Sequence, residues 1–334
     1  MTRGEVEASP IRTPSHAASR AARWSRRTGC AALTVAFVGC CAVHSARAQQ
    51  VPQFRTGVDL VNLGVTVTDR KGGLVTGLKA GDLEVYEDGR KQTISYFAAG
   101  DAARTLDASP IHLGVLLDVS ESMGDDIRFT RTAAIKFLNT LTDAVDFTVV
   151  DFDTEVRAAR YSQNEFARLV ERIRQQKATG MTALYDAIGL YLDGAAGQDG
   201  RKVMLLYTDG GDTQSSIRFT ELLDLLKASD ATVYAIGALE HQSGAARDRA
   251  RSILQTIAAT TGGQAFFPNS LKELDRMYEK VVAEVRAQYT IGYVSTNDRT
   301  DGAWRKVEIK PTAKDSRDMT VRARRGYFGT YKKP

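Results

Sequence analysis

Cysteine is scarce in this 334-residue chain, and all three cysteines lie within the first 41 positions. The rest of the chain therefore offers neither disulfides nor thiol chemistry. Histidine is also rare, since only His112 and His241 occur beyond residue 48. The sequence patterns of a nucleophilic serine elbow, a phosphate-binding loop, a zinc protease and an EF-hand are missing as well. These absences argue against the common hydrolase and nucleotide-binding classes.

The N-terminal segment has the pattern of an export signal. An apolar run from Ala31 to Val43 follows several arginines and leads into Ala46-Arg47-Ala48. We predict a signal peptide over residues 1–48 and export to the periplasm, the cell surface or the medium. The run is too short for a permanent membrane anchor, so we expect no transmembrane segment in the mature chain. Lipid anchoring at Cys40 is the weaker alternative, because the residues before it match a lipoprotein box poorly.

The positive charge of the chain belongs mostly to this leader. The whole sequence has 45 basic and 40 acidic residues, and positions 49–334 hold 38 of each. A balanced mature chain gives no electrostatic support for nucleic-acid binding. The basic tail VRARRGYFGTYKKP (321–334) could contact nucleic acid or an anionic surface. A closing β-strand with a solvated face is the preferred interpretation of that tail.

Short apolar runs alternate with amphipathic, helix-length segments through the middle of the chain. The runs are IHLGVLLD (111–118), DFTVVDFD (146–153), KVMLLYTD (202–209) and ATVYAIG (231–237). Between and after them, apolar residues recur every three or four positions, as in helices that cover a sheet. This alternation predicts an α/β domain over residues 110–290 with a doubly wound, mostly parallel sheet.

The two flanks of this domain have a different pattern. Residues 58–97 and the residues after Gln288 consist of short alternating strands, and Asp88-Gly89 suits a tight hairpin. Neither flank is long enough to bury a core alone. We therefore predict that the N-terminal strands and linker (49–109) pair with the C-terminal strands (291–334) in one small β-sandwich, into which the α/β domain is inserted.

Acids and hydroxyls follow the ends of two predicted strands. Asp118, Ser120 and Ser122 occur in LLDVSESMGDD (116–126), Asp209 occurs in YTDGGD, and Thr182 opens a helix in TGMTALYDAI. Ligands of parallel sheets bind at the carboxyl ends of strands, so these side chains can converge. Two carboxylates and three hydroxyls suit a hard cation such as Mg²⁺ or Mn²⁺ and do not suit zinc. The sequence predicts a divalent-cation site with one position left for water or an incoming ligand.

In their order and separation, DVSESM, TGMTALYDAI and YTDGGD resemble the three loops of a von Willebrand factor type A domain with a metal-ion-dependent adhesion site. The resemblance covers about residues 110–290, and with its flanks the chain resembles an exported bacterial group abundant in acidobacteria. It implies that the five residues named above hold the ion. It also implies that an Asp or Glu of a partner protein coordinates the ion, and that the protein is not an enzyme. Met181 stands where many relatives have glycine, a departure that removes no ligand.

A second metal site follows from a narrower resemblance. The stretch SMGDD resembles the integrin β-subunit version of the loop, which implies a Ca²⁺ site at Asp125 and Asp126. The alternative, which we prefer, is that both acids interact favourably with the dipole of the following helix. Of the other acids near these motifs, we expect Asp212 to be a solvated loop residue, and Asp186 and Asp193 to lie on an exposed helix face.

Three functions remain open from the sequence. The first is an adhesion-type binding module, the second a metal-dependent hydrolase or a non-catalytic subunit of an envelope enzyme complex, and the third a docking platform formed by the β-flanks. A serine nucleophile would need a base, and His112 is about 20 Å from Asp118 at strand rise. His241 lies in LEHQSGAAR, a loop that could approach the site, but a solvated loop histidine is the preferred interpretation.

Overall fold

The computed structural model describes residues 60–100, 110–312 and 316–331. The predicted signal peptide (1–48), the alternative anchor at Cys40 and part of the predicted linker lie outside these residues. Within the described ranges, no helix is both long enough and apolar enough to cross a membrane.

The described residues alternate between strands and helices in the central region and are mostly strands at both ends. The helices are α1 (Ile127–Thr140), α2 (Phe166–Gln175), α3 (Leu184–Ala195), α4 (Phe219–Ala228), α5 (Gly244–Thr260) and α6 (Leu271–Ala287). The strands are β1 (Leu60–Thr68), β2 (Leu83–Glu87), β3 (Arg90–Gln92), β4 (Ile94–Ala98), β5 (Ile111–Asp118), β6 (Ala144–Phe152), β7 (Val156–Ser162), β8 (Arg201–Thr208), β9 (Thr232–Gly237), β10 (Gln264–Phe266), β11 (Tyr289–Val294), β12 (Trp304–Pro311), β13 (Thr320–Arg322) and β14 (Gly326–Phe328).

The central sheet has six strands in the order β10-β9-β8-β5-β6-β7. All neighbouring pairs are parallel except β6 and β7. This confirms the predicted α/β class and the mostly parallel sheet. The two edge strands were not predicted, because β7 is rich in polar residues and β10 has only three residues, so neither shows the long apolar run of a buried strand.

Helices cover both faces of this sheet, as its apolar strands require. Along β5 the side chains alternate, so Leu117 packs in the core under α1, α2 and α6, while Leu116 packs in the core under α3, α4 and α5. Both leucines are fully buried, at 1% and 0% exposure. Burial on both faces explains why the sequence of β5 is apolar throughout and does not alternate with polar residues.

Strands from the two ends of the chain form a β-sandwich, which confirms that part of the prediction. One four-stranded sheet has the order β13-β1-β11-β4 and the other has the order β14-β12-β2-β3, so each combines N-terminal and C-terminal strands. Val65, Val85, Ile291 and Val307 belong to the shared core between the sheets. Because β4, which precedes the central region, pairs with β11, which follows α6, the two ends of the central region meet at this sandwich.

The topology brings the ends of β5 and β8 together. These strands are parallel neighbours, with Leu117 opposite Tyr207. The chain crosses from β5 to β6 on one side and reaches β8 on the other, so the sheet order reverses between β5 and β8. Asp118 is the last residue of β5, and Asp209 directly follows β8. Two acids therefore stand at the switch point, where open α/β sheets bind ligands.

Candidate metal site

Asp118 is held in one orientation by three uncharged donors. Its side chain is 0% exposed. Oδ1 accepts hydrogen bonds from the Ser120 N–H at 3.0 Å and the Ser120 hydroxyl at 2.5 Å, and Oδ2 accepts one from the Thr208 hydroxyl at 2.6 Å. The bond from the N–H two residues later is the local turn that aspartate favours at the end of a strand. Both oxygens are thus oriented by neighbouring groups.

The two serines lie side by side next to this carboxylate. Their hydroxyl oxygens are 3.1 Å apart, and Ser120 is buried while Ser122 is exposed. Ser120 precedes a short 3₁₀ turn over Glu121–Met123 that contains Ser122, and the side chain of Met123 is 0% exposed. The buried methionine anchors the turn, so the hydroxyls are positioned by the core beneath them.

Backbone hydrogen bonds join the loop of Asp118 to the loop of Thr182. The Thr179 N–H donates to the Val119 carbonyl at 2.8 Å, and the Glu121 N–H donates to the Gly180 carbonyl at 3.0 Å. Gly180 has a φ of 73°, in the left-handed region that favours glycine. The second loop therefore lies directly against the first.

The loop of Asp209 is joined to Thr182 in the same way. The Thr182 N–H donates to the Thr213 hydroxyl at 3.0 Å, and its carbonyl accepts from the N–H groups of Thr213 and Gln214 at 2.9 and 3.0 Å. Asp209 is 8% exposed, and its Oδ1 accepts from the Gly211 N–H at 2.9 Å. The three loops that carry the five predicted ligands thus meet at one edge of the sheet.

Two acids, Asp118 and Asp209, determine the electrostatics at the centre of this edge. Burial raises the pKa of Asp118 to about 7, the hydrogen bonds from Ser120 and Thr208 oppose this, and the charge of Asp209 adds to it. Among the described residues, no Lys, Arg or His forms an ion pair with either carboxylate. A buried carboxylate without a cation is costly, so this arrangement favours a bound cation.

The donor set fits a hard divalent ion. It consists of two carboxylates and three hydroxyls, all of them oxygen donors of the kind that Mg²⁺ and Mn²⁺ prefer. Over residues 60–100, 110–312 and 316–331, no group of three or more His, Cys, Asp or Glu side chains is placed to hold a metal ion. The predicted set has only two such side chains and depends on hydroxyls for the rest.

Asp125 and Asp126 lie at the rim of this edge. Asp125 is exposed, and Asp126 occupies the N-cap position of α1 without a side-chain capping bond. Asp126 Oδ1 is 3.6 Å from His241 Nε2, and burial is the main cause that raises the pKa of Asp126. Nearby Glu240 also raises this pKa, while His241 lowers it. The Ca²⁺ site at these acids stays a prediction.

Two acids differ from their predicted surroundings. The carboxylate of Asp186 accepts hydrogen bonds from the N–H groups of Ser216 and Ile217 at 2.8 and 3.1 Å, so it is half-buried. Asp212 accepts from the Ser215 hydroxyl at 2.5 Å and is also half-buried. The reason is that the loop after β8 packs on the first turn of α3, a contact between distant parts of the sequence. Asp193 is exposed, as predicted.

The two histidines are separated by the length of the sheet. His112 Nδ1 is 3.0 Å from Asp146 Oδ1 and its Nε2 is 2.9 Å from the Asp199 carbonyl, near the start of β5. His241 is 56% exposed, yet it lies beside Asp126, at the same edge of the sheet as Asp118 and Asp209. The loop of His241 follows β9, and loops that follow parallel strands lie at this edge of the sheet. The position of His241 after a predicted strand therefore indicates its location.

Thr208 and Thr154 support the site and were not identified from the sequence. Thr208 bonds Asp118 as described, and the Thr154 hydroxyl accepts the Met181 N–H at 2.9 Å. The strand register indicates the role of Thr208, because Leu117 lies opposite Tyr207 and the next residues, Asp118 and Thr208, are therefore neighbours. No local pattern marks Thr154, because it contacts a loop 27 residues away in the chain.

Comparison with protein families identifies the central region. The von Willebrand factor type A domain model matches residues 112–280, which is just over half of the 334-residue chain. The chain belongs to the von Willebrand factor type A domain family. The match lies within the predicted domain and contains all five predicted ligands of this VWA domain. None of the curated proteins matches the chain.

Solved structures of similar fold include VWA proteins. A von Willebrand factor type A protein from Catenulispora acidiphila has 15% identity and a TM-score of 0.45, with 83% of this chain and 76% of that chain covered. The vWF domain of the type V pili tip protein Mfa5 from Porphyromonas gingivalis has 12% identity and a TM-score of 0.44, with 58% and 99% covered. The PilB minor pilin from Streptococcus sanguinis has 12% identity and a TM-score of 0.45, with 55% and 63% covered. At these values the VWA assignment rests on the family match alone.

Proposed function

We propose that this protein is an exported, metal-ion-dependent binding module. In this proposal Mg²⁺ or Mn²⁺ is held by Asp118, Ser120, Ser122, Thr182 and Asp209, and an Asp or Glu side chain of a partner protein completes the coordination. The observation that supports it most directly is the pair of buried carboxylates at adjacent strand ends, with no cationic side chain paired to them in the described ranges.

The donor chemistry explains why such a site would bind an acid. Two carboxylates bring a divalent ion close to neutrality, and hydroxyl ligands add no further negative charge. A cation bound there would have one coordination position left. Its positive charge would attract a carboxylate of a partner protein to that position. Ser122 and Met181 are exposed, Met181 at 55%, so the face around the site is accessible to a partner.

Binding is favoured over catalysis because no histidine lies beside the serines in the described ranges, and Asp118, which accepts the Ser120 hydroxyl, is assigned to the metal in this proposal. His112 is engaged near the far end of β5, and His241 contacts Asp126 at the rim. A hydrolase would need a group that takes a proton from the attacking water or hydroxyl. The experiment that separates the two functions is turnover of phosphodiester and peptide substrates with Mg²⁺. Activity that Asp209→Ala abolishes would favour the hydrolase.

Export and two further features belong to the same proposal. The signal peptide over residues 1–48 would deliver the protein to the periplasm, the cell surface or the medium. Membership of the exported acidobacterial group would agree with such a cellular location. A Ca²⁺ ion at Asp125 and Asp126 would be a second bound metal. In the alternative in which the β-flanks dock the partner, capture would need the sandwich and would be insensitive to metal.

Calorimetric titration of the full chain with Mg²⁺ and with Mn²⁺ tests the metal site. We expect saturable binding of one ion to the wild type and loss of binding in Asp118→Ala and in Asp209→Ala. Asp193→Ala is the matched control, because Asp193 is an exposed acid on α3 that should leave binding unchanged. If Asp118→Ala binds the ion as tightly as the wild type, the site is wrongly assigned.

Affinity capture tests the partner. Envelope extract is passed over the immobilised protein with Mg²⁺ and again with chelator, and the captured protein is then identified. We expect capture only with Mg²⁺, and loss of capture after substitution of one acidic residue in the identified partner. Capture that is equal in chelator, or that survives Asp118→Ala, would contradict the proposal.

A further inference from the structure

A cavity of about 240 Å³ lies at the amino ends of β8 and β9, at the other end of these strands from Asp209. Its lining comes from both the central sheet and the sandwich and includes Asn62, Arg201, Lys202, Gln288 and Thr290. Leu60 and Tyr96 also line it and are 42% and 37% exposed, so the cavity opens to solvent. It has room for several water molecules and hence for a small oxyanion.

Arg201 lines this cavity without a carboxylate partner in the part of the chain that the structure describes. One terminal nitrogen, Nη2, donates to the Val285 carbonyl and to Gln288 Oε1, the latter at 3.1 Å. Its Nε is buried and has no hydrogen-bond partner within the described residues. Burial lowers the pKa of Arg201, and the opposing effect of Tyr234 does not offset it.

The neighbouring charges leave an excess of cations. Lys202 is 5% exposed and pairs with Asp230 at 2.7 Å, so this carboxylate is already engaged. Arg324 donates to the carbonyls of Ser229 at 3.2 Å and Asn62 at 2.7 Å, and its Nε is also buried with no partner among residues described here. Burial lowers the pKa of Arg324 as well. Arg201, Lys202 and Asp230 all line the cavity, and because Lys202 and Asp230 pair with each other, Arg201 is left without a carboxylate partner in the described ranges.

We propose that this cavity is an anion site that binds a small oxyanion, a phosphate or carboxylate group, through Arg201. Lys202 adds positive charge, while Asn62, Gln288 and Thr290 add amide and hydroxyl groups on the walls. The competing explanation is that Arg201 only caps α6, because Val285 lies in the last turn of that helix and the carbonyl end of a helix attracts cations. The two explanations differ in whether a soluble anion binds. The anion site does not depend on the proposed metal function.

Calorimetric titration with inorganic phosphate, sulfate and acetate, at constant ionic strength and with chelator present, tests the anion site on the full chain. We expect saturable binding of at least one anion to the wild type. Binding of phosphate or sulfate would indicate that the site takes an inorganic oxyanion, and binding of acetate would indicate that it takes a carboxylate. Arg201→Gln should weaken binding by about 10- to 100-fold, since it removes a charged hydrogen-bond donor. Arg218→Gln should bind like the wild type, because Arg218 is 79% exposed and lies on α4's N-terminal side.

A measurement on the wild type keeps the proposal testable if Arg201→Gln fails to fold. Backbone amide resonances of Gly64 and Thr290, which line the cavity, should shift in a saturable manner as the anion is added. Absence of saturable binding of all three anions to the wild type would overturn the proposal and leave helix capping as the role of Arg201. Binding that is equal in a folded Arg201→Gln variant, or that leaves both amides unshifted, would overturn it as well.

Discussion

Replacing Asp118 by asparagine should stabilise the chelator-treated protein while it abolishes metal binding. The side chain is 0% exposed, and burial raises its pKa from 3.8 to about 7. The folded state therefore holds the Asp118 proton more tightly than the unfolded chain does. The contribution of Asp118 to the free energy of unfolding consequently falls as pH rises from about 4 to about 7 and is constant above that. An amide in the same place carries no charge and avoids this loss.

The size of the effect follows from the same values. The difference between 3.8 and about 7 corresponds to about 4 kcal/mol of lost stability at pH 8, at 1.36 kcal/mol per pH unit. Asparagine weakens the bonds that Ser120 and Thr208 now donate to a charged carboxylate, which costs about 2 kcal/mol. Asp118→Asn should therefore be about 2 kcal/mol more stable than the wild type at pH 8, and because this difference falls by about 3 kcal/mol between pH 8 and pH 5, the variant should be slightly less stable than the wild type at pH 5.

Urea unfolding with chelator, at pH 8 and pH 5, measures both differences. Every other titrating group is present in both proteins, so the comparison isolates position 118. Asp193→Asn should match the wild type at each pH, because Asp193 is an exposed acid. Added Mg²⁺ should stabilise the wild type and leave Asp118→Asn unchanged. The reasoning is refuted if Asp118→Asn is less stable than the wild type at pH 8, or if the difference does not depend on pH.

Three further changes test the packing around these sites. Asp151 is 1% exposed and pairs with two arginines, so Asp151→Asn should cost about 3 kcal/mol in urea unfolding. Glu87 accepts bonds from three hydroxyls inside the sandwich, so Glu87→Ala should cost about 3 kcal/mol, whereas an equal cost for Glu84→Ala would contradict this role. A Cβ at Gly263 would lie 1.8 Å from the Val233 carbonyl oxygen, so Gly263→Ala should lower stability by about 3 kcal/mol or more, as thermal unfolding would show.

Much of the central domain could be predicted because its signals are local. The apolar runs of β5 and β8 reflect burial on both faces, and the acids after them mark the strand ends. Parallel strands place their carboxyl ends at one edge, so Asp118 and Asp209 could be assigned to the same edge of the sheet from the sequence alone. The sandwich was predictable from the lengths of its two halves, since each is too short to bury a core separately.

Other features depend on contacts between residues far apart in the chain. Asp186 and Asp212 lie on local patterns typical of exposed positions, yet both accept hydrogen bonds between α3 and the loop after β8. The edge strand β7 is held by pairing with β6, and its own polar sequence does not indicate that pairing. The surroundings of such residues depend on which elements pack together, and the local periodicity of the sequence does not indicate which elements those are.

The sequence by itself determined the alternation of strands and helices, the edge at which the acids gather and the oxygen-only character of their donors. The tertiary structure alone decided how Asp118 is buried and oriented, that His241 lies beside Asp126, and that the Nε atoms of Arg201 and Arg324 are buried without hydrogen-bond partners among the described residues. The physical reason is that the pattern of apolar and polar residues sets the local conformation of a segment and the average burial of its side chains. Hydrogen-bond partners, and the charge a buried group experiences, come from segments that are brought together only when the chain folds.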